Sequence, residues 1–457
     1  MLGALRQIFS TPELKQKILF TLSMLLLCRV GAYIPVPGID GREVVRIFRQ
    51  MTGGGQNLLQ LVDVFSGGAF AKMTIVALGV MPYISASIVM QVLVAVIPSL
   101  QREMRENGEA GQRKMGKMVR MATVILALLQ SALLARHALN LHFAHSGVIV
   151  DLLLSVGAGS FPWLFYLVVM ITMTTGTLLL MWIGEQITQR GIGNGISLII
   201  ATGILSSLPL TLGSVIDQLH LDSQEIGRLT FSSLVVLSIL FICIIVGTIL
   251  VIQGARKIPV QYARRVVGRR ESQGGSSHIP LKVNYAGVIP VIFASSLLMF
   301  PGTIARYLGQ GPVLSAFVRW LSPGSSVYTA LFVLLIIFFT YFWTATQFHP
   351  DRIASDMKKN GAFIPGIRQG KPTQEFLEST MNRITLAGAV FLALIAILPT
   401  LVGRVLDVDA TISHFFGGTS LLILVGVVLD TTKQIESHLL MKRYDGFMKK
   451  RRTSKTY

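Results

Sequence analysis

The chain has 457 residues, 52% hydrophobic and 14% charged, with a mean hydropathy of +0.62. That balance excludes a soluble globular protein, in which roughly a quarter of residues are charged. A formal charge of +19 invites a nucleic-acid reading, but the basic residues fall in gaps between apolar runs, where membrane topology accounts for them first.

An apolar run of about 20 residues crosses the hydrocarbon as a helix, because backbone groups find no water there. Ten such runs occur, at about 17–37, 74–98, 117–137, 161–183, 194–213, 230–252, 286–303, 327–347, 383–401 and 418–438. The first continues into Tyr33-Ile34-Pro35-Val36-Pro37-Gly38 without a small-x-small cleavage site, so it is expected to stay attached. With both termini inside, the inside segments hold 31 of the 41 Lys and Arg and the outside loops nine, while Arg29 lies within the first run. The positive-inside rule therefore expects cytoplasmic termini. Cys28 and Cys243 both sit in apolar runs and read as packing residues, not as a disulfide or metal ligands.

Between the first two runs, Asn57-Leu58-Leu59-Gln60-Leu61-Val62-Asp63-Val64-Phe65 has helical apolar spacing, with Gly53-Gly54-Gly55 before it and Ser66-Gly67-Gly68 after it. It is too short to span, and pattern alone allows either a small movable re-entrant element or an interfacial helix. The charges from Arg102 to Lys114 alternate and read as a solvated face. Gly191-Ile192-Gly193-Asn194-Gly195 has neither a preceding strand nor a following P-loop lysine, so its glycines are expected to form a tight turn into the fifth run.

Two long segments, at about 253–285 and 348–382, are basic beyond what orientation needs. The first holds Arg256, Lys257, Arg264, Arg265, Arg269 and Arg270; the second holds Lys358, Lys359, Arg368 and Lys371. They suit an acidic partner such as RNA, with topology signalling as the competing account. The stretch from Lys442 to Lys455 reads as a disordered basic end at the lipid surface. No zinc-protease, Cys-x-x-Cys or nucleophile-elbow pattern occurs, and neither enzyme chemistry nor a cofactor or metal is expected.

Two echoes organise the chain. Gly79-Val80-Met81-Pro82-Tyr83-Ile84-Ser85-Ala86-Ser87 returns as Gly287-Val288-Ile289-Pro290-Val291-Ile292-Phe293-Ala294-Ser295, and Gly195-Ile196-Ser197-Leu198-Ile199-Ile200 returns as Gly418-Thr419-Ser420-Leu421-Leu422-Ile423. They pair run 2 with run 7 and run 5 with run 10, so the repeat unit is five helices. An odd unit enters the membrane with opposite polarity each time, giving inverted-topology halves with a working site between them near the midplane. Pro82 and Pro290, each close behind a glycine, are suitable places for a helix break.

The candidate lining of that midplane is Ile84, Ile88, Ile196, Ile200, Ile292 and Ile423, with spacings of four placing pairs on one face. Isoleucines around a narrow opening form a dry constriction that opposes ions and offers no solute a site; isoleucines facing lipid or a neighbouring helix are the other account. A small-solute secondary transporter also uses inverted repeats, but Glu185 and Asp430 sit only at run ends. A scaffold without a pore would have no need of paired proline-broken helices.

Several stretches carry a family resemblance: Met81-Pro82-Tyr83-Ile84-Ser85-Ala86-Ser87-Ile88, Gly184-Glu185-Gln186-Ile187-Thr188 through Ser197, Pro280-Leu281-Lys282-Val283-Asn284, Gly361-Ala362-Phe363-Ile364-Pro365-Gly366-Ile367-Arg368, and Phe416-Gly417-Gly418-Thr419-Ser420-Leu421-Leu422. In this order, over nearly the whole chain, they resemble the SecY family, the large subunits of bacterial protein-conducting channels. Gln369 departs from the proline common in the family's Gly-Ile-Arg-Pro-Gly turn, which bears on that turn's rigidity.

The resemblance implies an all-α integral membrane protein of ten transmembrane helices in two inverted halves, 1–213 and 214–438, with a basic cytoplasmic tail at 439–457. It implies a pore ring at the six isoleucines and a plug at about 57–72 that includes Leu58, Leu61, Val62, Phe65, Ser66, Gly67 and Gly68. It places Pro82, Ser85, Ser87, Pro290, Ala294 and Ser295 at a lateral gate, where helices 2 and 3 face helices 7 and 8, hinged between helices 5 and 6. Arg256, Lys257, Arg264 and Arg265 fall in the docking loop for the ribosome and the SecA motor, and Arg368 matches an arginine tied to SecA-driven export. SecE and SecG are the implied partners in the bacterial inner membrane. Signal sequences, translocating polypeptides and membrane lipid are the implied contacts. Nothing in the sequence binds ATP, so the implied push comes from a partner.

Overall fold

The computed structural model describes residues 11–52, 58–106, 108–145, 148–149, 162–218, 231–262, 265–267, 270–272, 275–308, 311–322, 324–405 and 419–453. The first helix, α1 (Pro12–Gly31), buries Leu14, Thr21, Cys28 and Gly31 along one face. Its Leu22 and Leu26 stand 58% and 68% exposed, as apolar side chains do when their outer neighbour is lipid. The amphipathic α2 (Gly41–Thr52) follows, burying Val44 and Ile47, and then the short α3 (Leu58–Ser66).

The second apolar run does not become helical until α4 (Met81–Val96), because 74–80 form consecutive turns. Pro98 then pushes Ile97 into an extended conformation, and α5 (Pro98–Glu106) leaves α4 at 101°. Next come α6 (Gly108–His145), α7 (Trp163–Arg190), α8 (Gly195–Gln218) and α9 (Phe231–Gln253). After a stretch of strands, the chain continues as α10 (Ile289–Leu308), α11 (Pro312–Trp320), α12 (Ser326–Gln347), α13 (Pro350–Lys359), α14 (Lys371–Val405) and α15 (Thr419–Thr453).

Among the described residues, five segments are by themselves long and apolar enough to cross a membrane, and the bent pair α4–α5 makes a sixth if it is counted as one span. The apolar helices Gly195–Pro209 and Ile289–Ala305 are shorter. Helices α4, α6, α7 and α8 pack in succession, with α1 against α7 and α8; α10, α12, α14, α9 and α15 do likewise. Two seams join these sets: α4 and α6 meet α10, and α8 meets α15.

The internal echo is visible in the backbone. Gly79 and Gly287 both take left-handed conformations, at φ +57° and +60°, where a side chain would be strained. Each is followed two residues later by a helix start, with Pro82 and Pro290 as second helical residues. These prolines begin helices and do not kink them, because a missing N–H costs nothing in the first turn.

Two expectations are corrected. The chain is mostly helical, not all-α: β1 (Ala255–Tyr262), β2 (Arg265–Val267), β3 (Arg270–Ser272), β4 (Ser276–Lys282) and β5 (Ala362–Phe363) occupy the two basic segments. β1 pairs antiparallel with β4, from Ala255 opposite Lys282 to Gln261 opposite Ser276, and also with β5, while β2 pairs with β3. Ile258 and Val260 alternate inward from β1 and, with Leu281, pack on Phe348, Met357, Leu377 and Met381. The stretch after 442, read as disordered, continues α15 to Thr453, since Lys, Arg and Met are good helix formers.

Candidate functional site

Four helices carry the six isoleucines into one apolar cluster. Ile84 and Ile88 on α4, Ile200 on α8, Ile292 on α10 and Ile423 on α15 are buried at 5% exposure or less in a single apolar cluster, and Ile196 packs against it. The lipid-facing account of these side chains does not describe their surroundings.

On one side of this cluster lies a cavity of about 330 Å³. Ile84, Ile196, Ile200 and Ile292 line it together with the polar Gln91, Glu185 and Asn194. A second cavity of about 270 Å³ shares Asn194, Ser197, Ile289 and Trp343 with the first and extends to Lys282, Asp430 and Lys433. Polar side chains and four of the isoleucines thus share the lining of the first cavity.

The helix α3 packs against both α8 and α10, and its Phe65, 5% exposed, joins the isoleucine cluster, with Val62 packed against it. Nine residues of helix reach about 14 Å, half the hydrocarbon thickness, so α3 does not span. Leu58 and Leu61 lie on this helix, and residue 57 lies outside the described residues. A folded turn closes it: Gly67 and Gly68 take φ +68° and +83°, Gly68 N donates to Asp63 O (2.9 Å), Ser66 Oγ donates to the same carbonyl (3.0 Å), and Ala71 N donates to Asp63 Oδ1 (2.8 Å).

Burial pushes the Asp63 carboxyl up to about 6 from its ordinary 3.8, against the opposing pull of the Ala71 N–H and the Lys72 charge. A carboxyl raised on docking contributes stability that is complete below pH 3.8 and is lost as pH rises through about 6. Docking of α3 is therefore expected to strengthen as pH falls from 7 to 4. Asp63→Asn keeps the acceptor for Ala71 and should abolish this pH dependence, read as the protection of a cysteine placed on α3 from alkylation.

At the seam between α4 and α10, Pro82 and Pro290 are buried, Ala294 is fully buried, and Ser295 Oγ donates to Ile292 O within its own helix (2.9 Å). Ser87 Oγ accepts from Gln91 Nε2 (3.0 Å), again within one helix. Across the seam, Ser296 Oγ lies 4.0 Å from Met81 Sδ. Ser85 faces a small cavity of about 50 Å³ with Val62, Met81, Leu134 and Met299, so the seam is not fully packed. Behind it, Phe293 stands edge-on to Phe339 and Trp343, at 5.7 and 5.9 Å.

The Gly191–Gly195 turn is pinned from three directions. Ile192 N donates to Thr21 Oγ1 (3.1 Å), Gly193 N to Gln434 Oε1 (2.8 Å) and Gly195 N to Thr188 Oγ1 (2.9 Å). Asn194 caps α8 by accepting from Ser197 N (3.3 Å). Glu185 is held by Arg120 through two bonds of 3.0 and 2.7 Å.

Among the basic residues, Arg256 and Lys257 are exposed on β1, and Arg368 is exposed in the turn that follows β5. The β1–β5 pairing therefore brings two segments distant in sequence onto one body. Arg265 begins β2, and Arg264 lies outside the described residues. Gln369 Nε2 donates to Ala362 O (3.1 Å), so the amide ties the turn that a proline would stiffen.

The SecY family profile matches residues 74–432. The chain belongs to the SecY family. It is 59% identical over 452 residues to the protein translocase subunit SecY of Chlamydia trachomatis serovar D, covering 99% of each chain. The solved structure of a protein conducting channel matches with a TM-score of 0.61 at 20% identity, covering 92% of this chain and 91% of that one. A second, in which the SecY plug domain stabilises the closed state of the translocation channel and maintains a membrane seal, matches with a TM-score of 0.58 at 19% identity over the same shares. Membership of the SecY family, together with the apolar spans, makes this a multi-pass membrane protein with the SecY channel fold.

Proposed function

We propose that the protein is the pore-forming subunit of a protein translocation channel, passing unfolded secretory polypeptides across the membrane and releasing apolar segments sideways into lipid. The observation that carries this reading is the meeting of isoleucines from four helices between a partly polar cavity and the α3 helix. A passing chain bears every kind of side chain, so its conduit must bind none of them well, and a flexible apolar ring meets that need while opposing ion leakage. A small-solute carrier needs a polar binding site between its halves, where this protein gathers isoleucines.

In this reading, ten helices (α1, α4, α6 to α10, α12, α14 and α15) span the membrane in two inverted halves, 1–213 and 214–438. The strand-bearing side, both termini and the 439–457 tail are cytoplasmic, and the membrane is the bacterial inner membrane. Residues 57–72 form the plug, and the α4–α10 seam is the lateral gate. SecE and SecG complete the channel. The body carrying Arg256, Lys257, Arg264, Arg265 and Arg368 docks the ribosome and SecA, which supplies the energy. A signal sequence, itself an apolar helix, favours the parted seam and so shifts the closed–open equilibrium.

Site-specific crosslinking tests the conduit. A stalled export intermediate should crosslink to photoreactive residues at positions 84 and 292 and not to one at position 242, where Ile242 on α9 stands 60% exposed on the outer surface; the reverse pattern would refute the reading. Arg368→Glu should lower ATP-driven export into vesicles at least tenfold while the protein still inserts, and export at the unmodified rate would refute the docking assignment.

A further inference from the structure

Arg29 is the cation that lies within the first apolar run. An ionisable group at membrane depth is costly and is retained where it does work. Its Nη1 donates to Gly67 O (3.2 Å) and to Ser206 Oγ on α8 (2.9 Å). Ser206 Oγ lies 3.2 Å from the same Gly67 carbonyl and 2.8 Å from Gly203 O, so its single proton serves one of the two. Among the described residues, no carboxylate comes within ion-pair distance of Arg29, and its Nε is buried without a partner. The charge is met instead by the carbonyl end of α3, where the helix dipole places partial negative charge.

Glycines let this contact form. A Cβ at Gly67 would stand 2.5 Å from both Nη atoms and 2.8 Å from Gly203 Cα, and a Cβ at Gly203 would stand 2.9 Å from Phe65 O. The closing turn of α3 thus lies directly on the α8 backbone, with the guanidinium folded over it.

We propose that Arg29 is the latch of the plug: with Ser206, it holds the closing turn of α3 docked, and release of the Gly67 carbonyl is a step of channel opening. The proposal rests on the reading of α3 as a plug. In the dry closed state the guanidinium has few other acceptors, so the latch is strong; in the opened conduit water replaces the carbonyl, so release and hydration go together. Opening is switch-like for this reason.

The test uses the full channel complex in planar bilayers, with Cys28 and Cys243 replaced, and reads resting conductance and the alkylation rate of Val64→Cys on α3. Arg29→Gln should raise both roughly tenfold, the order expected for a lost charged hydrogen bond. Arg29→Lys should restore most of the closure, and Ser206→Ala should raise both about threefold. Unmodified conductance and protection in Arg29→Gln, beside a leaky deletion of 58–66, would overturn the latch alone. A deletion of 58–66 with unchanged resting conductance would overturn the plug reading and the latch with it. Should Arg29→Gln not insert, Ser206→Ala at unmodified conductance and protection overturns the proposal.

Discussion

Ile423→Asn is expected to make the resting channel leak ions and to let it export proteins whose signal sequences are defective. Ile423 is fully buried in one apolar cluster with Ile84, Ile88, Ile200 and Ile292, which in the proposed reading closes the conduit. Asparagine is smaller and brings an amide into apolar surroundings, which costs about 2 kcal/mol in the closed state. In an open, hydrated ring the same amide is solvated, so the penalty falls on one state only. A differential of about 2 kcal/mol shifts the closed–open ratio roughly thirtyfold toward open. A signal sequence then has less work to do, and a weaker one suffices. Ile292→Asn should act in the same direction with a smaller effect, since Ile292 retains 5% exposure beside the larger cavity. Ion flux from reconstituted vesicles and export of a signal-defective substrate measure the two consequences, and unchanged values of both would show that these isoleucines do not seal the channel.

Much of this site is legible in the sequence because its pattern is local. Ile84 and Ile88, or Ile196 and Ile200, lie four residues apart on helices, so their shared face follows from helical geometry. Gly79 and Gly287 announce themselves through the repeat, and both adopt the positive φ that explains glycine there. The small sheet is less legible, because Pro259 and Pro280 sit in its strands and dense basic residues obscure the short alternation of Ile258 and Val260. The charged helix α2 is missed for a related reason: among the side chains described there, Val44 and Ile47 are the buried ones, set among arginines that suggest a loop.

The long-range contacts are the least legible. Arg29 stands out as a charge in an apolar run, but nothing in its neighbours names Gly67, 38 positions away, or Ser206, 177 positions away, as its partners. The repeat aligns Ser295 with Ser87, yet both hydroxyls are satisfied within their own helices, and Ser296 reaches across. Alignment identifies equivalent backbone positions, whereas the rotation of about 100° between adjacent residues decides which side chain points at the neighbouring helix.

That difference directs the second large effect. Joining Ser296→Cys on α10 to Met81→Cys on α4, by a disulfide or a short bifunctional thiol reagent, should stop export and lateral release almost completely, and reduction of the disulfide should restore both. The Ser296 hydroxyl and the Met81 thioether approach to 4.0 Å; a cysteine at 81 carries its sulfur one atom nearer the backbone, so the bifunctional reagent is the surer bridge across the seam. A covalent link exceeds any free energy that a signal sequence gains by entering lipid, so the parted state is removed from the accessible ensemble. The buried Cys28 and exposed Cys243 must be replaced first to make the link unique. A Ser295→Cys and Met81→Cys pair serves as the control: the Ser295 hydroxyl is turned back to Ile292 O, and this pair should link poorly. Full export through channels shown to be completely linked at 81 and 296 would refute the seam as the gate. Loss of export that reduction does not reverse would point to damage from the substitutions themselves.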